Sequence, residues 1–297
     1  MATKKDRSLF DNTVSLTPRM PVKRRRRTTY FFRSALPLHS LWFTMIFLLA
    51  YELMVAFLGP ALSSMSFEEI PGLVVSFVWV YDLLGWFGFS GRLQWLLCPV
   101  FVIVVLLAVH FADKKKRAPM QRYDLPLMFA ESFFWALPLL VVALIADRFS
   151  SPGGYVPAQE PVAFVNGLKA FVCSSSLGES ANVFIELIAG IGAGIYEELF
   201  FRQILYVGLF LFTTKLLDLS REFGAFFAVV VSSVVFSLHH NILYIQGSYL
   251  PGEEFVASVF MFRVFAGFYL TVIFANRGFG IAAGAHCFHN IMAVLLN

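Results

Sequence analysis

Long apolar runs separated by short polar segments make up most of this 297-residue chain. A helix needs about 20 mostly apolar residues to cross the hydrocarbon core of a bilayer. By this measure the pattern predicts membrane-spanning segments near residues 38–59, 93–112, 125–146, 182–217, 223–241, 255–276 and 279–296. The sequence therefore predicts an all-α fold, a polytopic transmembrane bundle with about seven or eight membrane helices.

Two apolar segments leave alternatives open. The stretch "PGLVVSFVWVYDLLGWFGFSG", which contains Asp82, either crosses the membrane or is interfacial or re-entrant. Without a crossing, the basic segments 24–27 and 114–117 both lie in the cytoplasm, as the positive-inside tendency favours, and we expect this arrangement. The run 182–217 is too long for one perpendicular span. It is tilted, extends beyond the bilayer, or is broken near residues 190–194.

Composition agrees with a multi-pass protein of the cell membrane. Hydrophobic residues make up 58% of the chain and charged residues only 14%, which excludes the polar surface of a soluble protein. Much of the net charge of +4 lies in the two basic segments, which are typical of topology determinants and lipid-headgroup contacts rather than of a nucleic-acid surface. We expect the bilayer as a partner, no nucleic acid, and a cytoplasmic N-terminus.

The same patterns predict four parts of the chain. Residues 1–37 form a basic cytoplasmic segment, 38–148 the N-terminal transmembrane helices, and 149–180 a loop or interfacial segment. Residues 181–297 form a helical core that contains most of the polar residues at membrane depth. The three cysteines are too few and too scattered for a disulfide framework or a thiolate metal site.

Polar residues interrupt the apolar runs of this core at three places. An acidic or basic residue at the centre of a membrane helix costs roughly 2.5 to 3.5 kcal/mol, so each such residue requires a reason. The three stretches are "GAGIYEELFFRQIL", "FSLHHN" and "GAHCFHN". Residues four apart share a helix face. The pairs at this spacing are Glu198 with Arg202, Phe236 with His240, and His286 with Asn290.

These residue types suit peptide hydrolysis. A carboxylate or imidazole is needed to take a proton from water, and burial of a glutamate raises its pKa toward a useful range. A histidine and an asparagine one turn apart supply donors for an oxyanion. By contrast, we interpret Glu131, Glu186 and Arg263 as structural. We predict that one site inside the bilayer brings together Glu197, Glu198, Arg202, His240, His286 and Asn290.

The ordered set of motifs resembles the CAAX prenyl protease and bacteriocin-processing membrane proteases, also called the Abi family. The family pattern is two adjacent glutamates with an arginine four after the second, then a phenylalanine with a histidine four later, then a histidine with an asparagine four later. It corresponds here to Glu197, Glu198 and Arg202; Phe236 and His240; and His286 and Asn290. The resemblance covers about residues 182–297.

The resemblance implies an intramembrane endopeptidase with a peptide or membrane-protein substrate. It assigns water activation to Glu197 and His240 and the oxyanion site to His286 and Asn290. Glu198 and Arg202 then support the site by pairing. His239 and His289 compete for the histidine roles, although only His240 lies four residues after Phe236.

The sequence leaves metal dependence and a non-catalytic role as alternatives. We expect catalysis without a cofactor; a zinc enzyme would use Glu197, His240 and His286, assembled across helices because no "HExxH" helix is present. The alternative to an enzyme is a membrane scaffold, immunity factor or transporter of the same fold. Transport predicts polar residues across the full bilayer depth and matching halves, whereas this sequence has one polar cluster and no repeat.

Overall fold

The computed structural model describes residues 29–62, 74–113, 118–150, 178–245 and 247–296, which form nine helices and one β-hairpin. The first five helices are α1 (Tyr30–Ser34), α2 (Pro37–Leu62), α3 (Val75–Trp86), α4 (Gly91–Ala112) and α5 (Asp124–Ser150). The long helix α6 consists of four consecutive segments, Gly178–Glu198, Leu199–Tyr206, Val207–Leu211 and Phe212–Leu216, of which the second and fourth are π-helical. Helix α7 (Arg221–Asn241) leads into strands β1 (Ile242–Ile245) and β2 (Ser248–Pro251), which are followed by α8 (Ala257–Arg277) and α9 (Phe279–Leu296).

Seven of these helices are long and apolar enough to cross a membrane, which confirms the predicted all-α polytopic bundle. The seven are α2 and α4 to α9. Helix α3 has 12 residues, a length of about 18 Å, whereas the hydrocarbon core is about 30 Å thick. It is therefore too short to cross, which favours the non-crossing interpretation of the segment around Asp82. The chain is an integral membrane protein.

Helix α6 is continuous through its glycines. Of the alternatives left open for this run, a break near residues 190–194 is wrong, because the α-helix passes through Gly190 and Gly194 without interruption. Its apolar part, Glu186–Leu216, has 31 residues, more than the roughly 20 that a perpendicular span requires. Its excess length is therefore accommodated by tilt or by extension beyond the bilayer.

Helix α1 lies at one end of the bundle, which we call the α1 end. Arg33 forms an ion pair with Asp124 at the start of α5, 2.7 Å between Nη2 and Oδ1. Arg277, the last residue of α8, pairs with Glu131 of α5, which also accepts a hydrogen bond from the Tyr30 hydroxyl. Glu131 thus has the structural role that we expected for it. The hydrogen bond from Arg33 to Asp124 raises the pKa of Arg33.

The β-hairpin marks the opposite end, which we call the hairpin end. Strands β1 and β2 pair antiparallel, with Ile242 opposite Pro251 and Ile245 opposite Ser248. The chain turns back at Gly247, whose φ of 82° lies in the left-handed region that glycine adopts most readily. Helix α3 packs against the hairpin here.

The flanks of both basic segments lie at the α1 end. Arg33 follows residues 24–27 closely, and Asp124, its partner, follows residues 114–117. The basic segments themselves lie outside the described residues, as does most of the predicted 149–180 segment. Their flanks agree with the prediction that both segments are on one side of the membrane.

Candidate active site

Two adjacent glutamates on α6 form the centre of a buried polar cluster. The exposed fraction is 5% for Glu197 and 0% for Glu198. Because consecutive residues of a helix differ by about 100° in direction, the two carboxylates point to different neighbours. Glu197 faces the end of α7, and Glu198 faces α9. The site therefore combines side chains from three separate membrane helices.

Glu198 is held by one imidazole and one guanidinium. The His286 Nδ1–H donates to Glu198 Oε1 over 2.8 Å, and Arg202 Nη1 lies 3.0 Å from the same oxygen. The guanidinium also lies over the ring of Phe236, 4.3 Å from its centroid. Arg202 is only 1% exposed, and a buried cation of this kind is tolerated in a bilayer only when it is paired. The predicted pairing of Glu198 with Arg202 is present in the structure.

Glu197 lies between two imidazoles. Its carboxylate is 3.5 Å from His239 Nε2 and 3.9 Å from His286 Nε2. The Nδ1–H of His239 donates to the carbonyl of Phe236, so Nε2 is the ring nitrogen on the side of Glu197. The sequence alone did not identify His239 as the imidazole in contact with Glu197.

His240, the residue expected from the motif spacing, lies beside this pair. Its ring centroid is 4.0 Å from that of His239, and its backbone carbonyl accepts a hydrogen bond from the Glu253 N–H over 2.9 Å. The two histidines occupy the last turn of α7, so both stay close to Glu197 although they point in different directions. The two adjacent histidines in "FSLHHN" are the sequence feature that left the choice between His239 and His240 open.

Asn290 lies one turn after His286 on α9 and contacts α6. Its Nδ2 donates to the carbonyl of Gly190 over 3.0 Å, which fixes the side-chain amide and leaves its second N–H for another acceptor. His289, the other competing histidine, packs against Phe262 with ring centroids 6.0 Å apart. His289 therefore faces α8 and lies beside the cluster.

Glycines on α6 allow α9 to approach closely enough to form this cluster. A Cβ atom added to Gly194 would lie 2.4 Å from the Cys287 sulfur and 2.7 Å from its backbone nitrogen. A Cβ atom on Gly190 would lie 2.8 Å from the Cβ of Asn290. Small residues commonly permit such close helix pairs in membranes. The glycines thus determine how near His286 and Asn290 lie to the glutamates.

We expect Gly194→Val to reduce turnover by about 10²-fold, because a displacement of about 1 Å in a catalytic group is enough for such a loss. Gly208→Val is the matched control, since Gly208 lies on the same helix and its added Cβ would meet nothing within 4 Å. Cleavage of a quenched peptide in nanodiscs measures the effect, with size-exclusion profiles as the check on folding. Equal activity of the two variants would contradict the proposed close contact.

A π-helical segment begins immediately after the two glutamates. It covers Leu199–Tyr206 and includes Arg202. Such segments are rare and often occur at functional sites, because the wider turn redirects the side chains that follow it. No sequence pattern indicated this geometry.

Glu253, in the connection after β2, adjoins the site. It pairs with Arg263 of α8 over 2.6 Å, and its carbonyl accepts a hydrogen bond from the Asn241 amide. Burial raises the pKa of Glu253, while Arg263 opposes this shift. Trp79 of α3 donates to the Tyr244 carbonyl over 2.8 Å and packs against His239, with ring centroids 6.0 Å apart. Helix α3 and the hairpin therefore border the site, which sequence patterns did not predict.

Three side chains of the cluster could bind a metal ion. Glu197, His239 and His240 offer one ligand atom each, all within 4.8 Å of one another. The hydrogen bond from His239 Nδ1 to a backbone carbonyl is the kind of support that metal-binding imidazoles use. The zinc set predicted from the sequence contained His286 instead of His239.

The fold and the cluster define a class of protein: a polytopic membrane protein with carboxylates, imidazoles and an asparagine gathered inside its helix bundle. Residues 179–292 match the family described as type II CAAX prenyl endopeptidase Rce1-like. This match confirms the resemblance predicted from the three motifs, all of which lie within the matched residues. Comparisons with curated proteins and with solved structures gave no match.

Proposed function

We propose that this protein is an intramembrane endopeptidase that uses a glutamate-activated water. The observation that carries the proposal is the buried carboxylate of Glu197 between the imidazoles of His239 and His286. Water is a poor nucleophile, so a base must remove its proton as it attacks the peptide carbonyl. The match to a peptidase family supports this chemistry over a scaffold, immunity factor or transporter.

Glu197 is the general base of the proposed reaction. It takes one proton of the water while the oxygen adds to the carbonyl carbon, and a tetrahedral oxyanion results. The same proton then passes to the amine as the C–N bond breaks. The imidazoles of His239 and His240 lie close enough to share this proton with Glu197. No covalent enzyme intermediate is required.

His286 and Asn290 stabilise the oxyanion in this proposal. Because Nδ1 of His286 already donates to Glu198, its Nε2 donates only when the ring is an imidazolium. Glu198 holds the ring in place through this contact, and Arg202 balances the charge of Glu198. Asn290 contributes the amide N–H that does not bond to Gly190. Fixed donors of this kind are usually the largest single contribution to catalysis.

We expect the purified protein to keep its activity in a strong chelator. If a metal were bound, Glu197, His239 and His240 would hold it, and it would supply a Lewis acid for water activation. The measurement is cleavage of a quenched peptide in nanodiscs with and without chelator. Loss of turnover on chelation, with recovery on addition of Zn²⁺, would contradict the metal-free mechanism but would leave the site in the same place.

The setting of the proposed reaction is the cell membrane, with the N-terminus in the cytoplasm. The basic segments 24–27 and 114–117 support this orientation through the positive-inside tendency. The substrate is a peptide or a membrane protein, and nothing in the charge distribution supports a nucleic-acid partner.

A further inference from the structure

The chain that follows the hairpin contacts the end of α7, where His239 and His240 lie. The last carbonyls of a helix have no partner within the helix and need donors from elsewhere. The Glu253 N–H donates to the His240 carbonyl over 2.9 Å, and the Gly252 N–H donates to the next carbonyl, that of Asn241, over the same distance. The Asn241 amide donates in return to the Glu253 carbonyl over 3.1 Å. Three hydrogen bonds therefore join residues 252 and 253 to the last two residues of α7.

The hairpin and one glycine make this contact possible. Ile242 is paired with Pro251 at the open end of the hairpin, so the chain that leaves β2 returns directly to the end of α7. A Cβ atom added to Gly252 would collide with the His240 carbonyl oxygen. The backbone at residue 252 thus approaches α7 more closely than any residue with a side chain would allow.

The side chain of Glu253 connects the same point to α8. Its carboxylate lies 2.6 Å from Nη2 of Arg263, and the exposed fractions of the two side chains are only 6% and 15%. Helix α8 is itself fixed against α7, because the Ser237 hydroxyl donates to the Phe260 carbonyl over 2.8 Å. Arg263 therefore gives Glu253 an anchor whose position relative to α7 is already set.

The two histidines held at this point belong to the proposed site. His239 Nε2 lies 3.5 Å from the Glu197 carboxylate, and the ring centroids of His239 and His240 are 4.0 Å apart. Both imidazoles follow the backbone of one helical turn, so a rotation or fraying of that turn moves them together. Helix ends fray, and a displacement of about 1 Å in a catalytic group is enough to lower a rate by about 10²-fold.

We propose that Glu253 is a positioning residue for the reaction: its backbone holds the last turn of α7, and its ion pair with Arg263 keeps both histidines of that turn in place beside Glu197. Glu253 acts through the histidines and not on the substrate. Catalytic groups depend on neighbours of this kind to hold them within about 0.5 Å of the productive geometry. The inference rests on the proposed function, because the histidines have a catalytic task only there.

Kinetics of Glu253→Ala and Arg263→Ala test this role. We expect each variant to lower kcat by about 10- to 10²-fold per folded molecule, with KM changed by less than about threefold. The double variant should lose no more than the single variants, because both residues act through one pair. Arg263→Lys keeps the charge and should recover most of the lost kcat. A change confined to KM, or losses that multiply in the double variant, would overturn the proposal.

The ion pair between Arg277 and Glu131 supplies the matched control. It joins the same helix, α8, to α5 at the α1 end, with 2.5 Å between Nε and Oε1. Glu131→Ala removes the same kind of carboxylate from a buried arginine. We expect it to lower the unfolding temperature and to leave kcat of the folded protein unchanged. If it lowers kcat as much as Glu253→Ala, the effect of Glu253 is one of general stability and the positioning role is wrong.

Solid-state NMR of the histidines gives a readout that needs no turnover. Protein labelled with ¹⁵N-histidine is measured in lipid bilayers, and His239→Gln and His240→Gln identify the two signals among the six histidines of the chain. We expect Glu253→Ala to shift or broaden both signals, whereas Glu131→Ala leaves them in place. Glu253→Gln, which keeps the size of the side chain, should give smaller shifts in the same signals and serves if the alanine variant does not fold.

The positioning role and the proposed function can fail separately. Unchanged His239 and His240 signals in the Glu253 variants would overturn the positioning role, even in a protein that cleaves peptides through Glu197. Shifted signals in a protein without Glu197-dependent cleavage would preserve the hold of Glu253 on the histidines and overturn the peptidase.

Discussion

Replacement of Glu197 by glutamine should lower turnover by about 10³- to 10⁴-fold, the upper part of the range for loss of a general base. Glutamine keeps the size of the side chain and can still form hydrogen bonds with the neighbouring imidazoles. It cannot accept the proton of the attacking water. Substrate binding should therefore change little, and kcat should carry nearly the whole effect.

Glu254→Gln is the matched control for this variant. Glu254 is exposed and lies outside the cluster, so the same chemical change there should leave cleavage unaffected. Thermal unfolding in detergent distinguishes a chemical loss from a folding defect. A Glu197→Gln protein that is folded and cleaves at the wild-type rate would eliminate Glu197 as the base.

Asn290→Ala is expected to reduce turnover by about 10²- to 10³-fold, the range measured when one oxyanion donor is removed. The substitution also removes the hydrogen bond to the Gly190 carbonyl. That loss affects stability by about 1 kcal/mol, which is small beside the expected change in rate. The measurement is the rate of quenched-peptide cleavage at saturating peptide.

Asn276→Ala provides the comparison, because Asn276 is outside the site and its amide donates to the Val272 carbonyl of its own helix. It removes the same side chain and a similar hydrogen bond to a backbone carbonyl. If both variants lose activity equally, the effect of Asn290 is structural and the oxyanion assignment is wrong.

The membrane spans were predictable because hydrocarbon imposes a length that sequence patterns reveal directly. Each of the seven spanning helices was recognised from its apolar run. The path of α6 was harder to predict from the sequence, because Gly190 and Gly194 are compatible with either a break in the helix or a close contact with another helix. In the folded protein Cys287 and Asn290 lie directly against these glycines, so the glycines serve a close helix contact.

The candidate residues were predictable as a set, but the α7 histidine that contacts Glu197 was not. Spacing of four places His240 on the face of Phe236, yet His239 is the residue in contact with Glu197. The reason is that α7 ends at Asn241, so both imidazoles of its last turn reach α6. Spacing along one helix does not determine how that helix is rotated against its neighbour.

Residues from distant parts of the sequence complete the surroundings of the site. Trp79 lies on a helix too short to span, and Glu253 follows a short hairpin. Neither segment has a motif of its own, and their contacts with His239 and His240 depend on the tertiary fold. The π-helical turn after Glu198 was also not predictable from the sequence, because the residues that form it do not differ from those of an ordinary apolar helix.

Terminal-labelling proteomics shows whether this protein cleaves peptide bonds through Glu197, because no substrate has to be known in advance. Membranes are compared from cells that contain the wild-type protein or Glu197→Gln at equal levels. We expect new protein N-termini that occur only with the wild-type protein. Identical termini in the two membranes would show that Glu197 does not carry out cleavage.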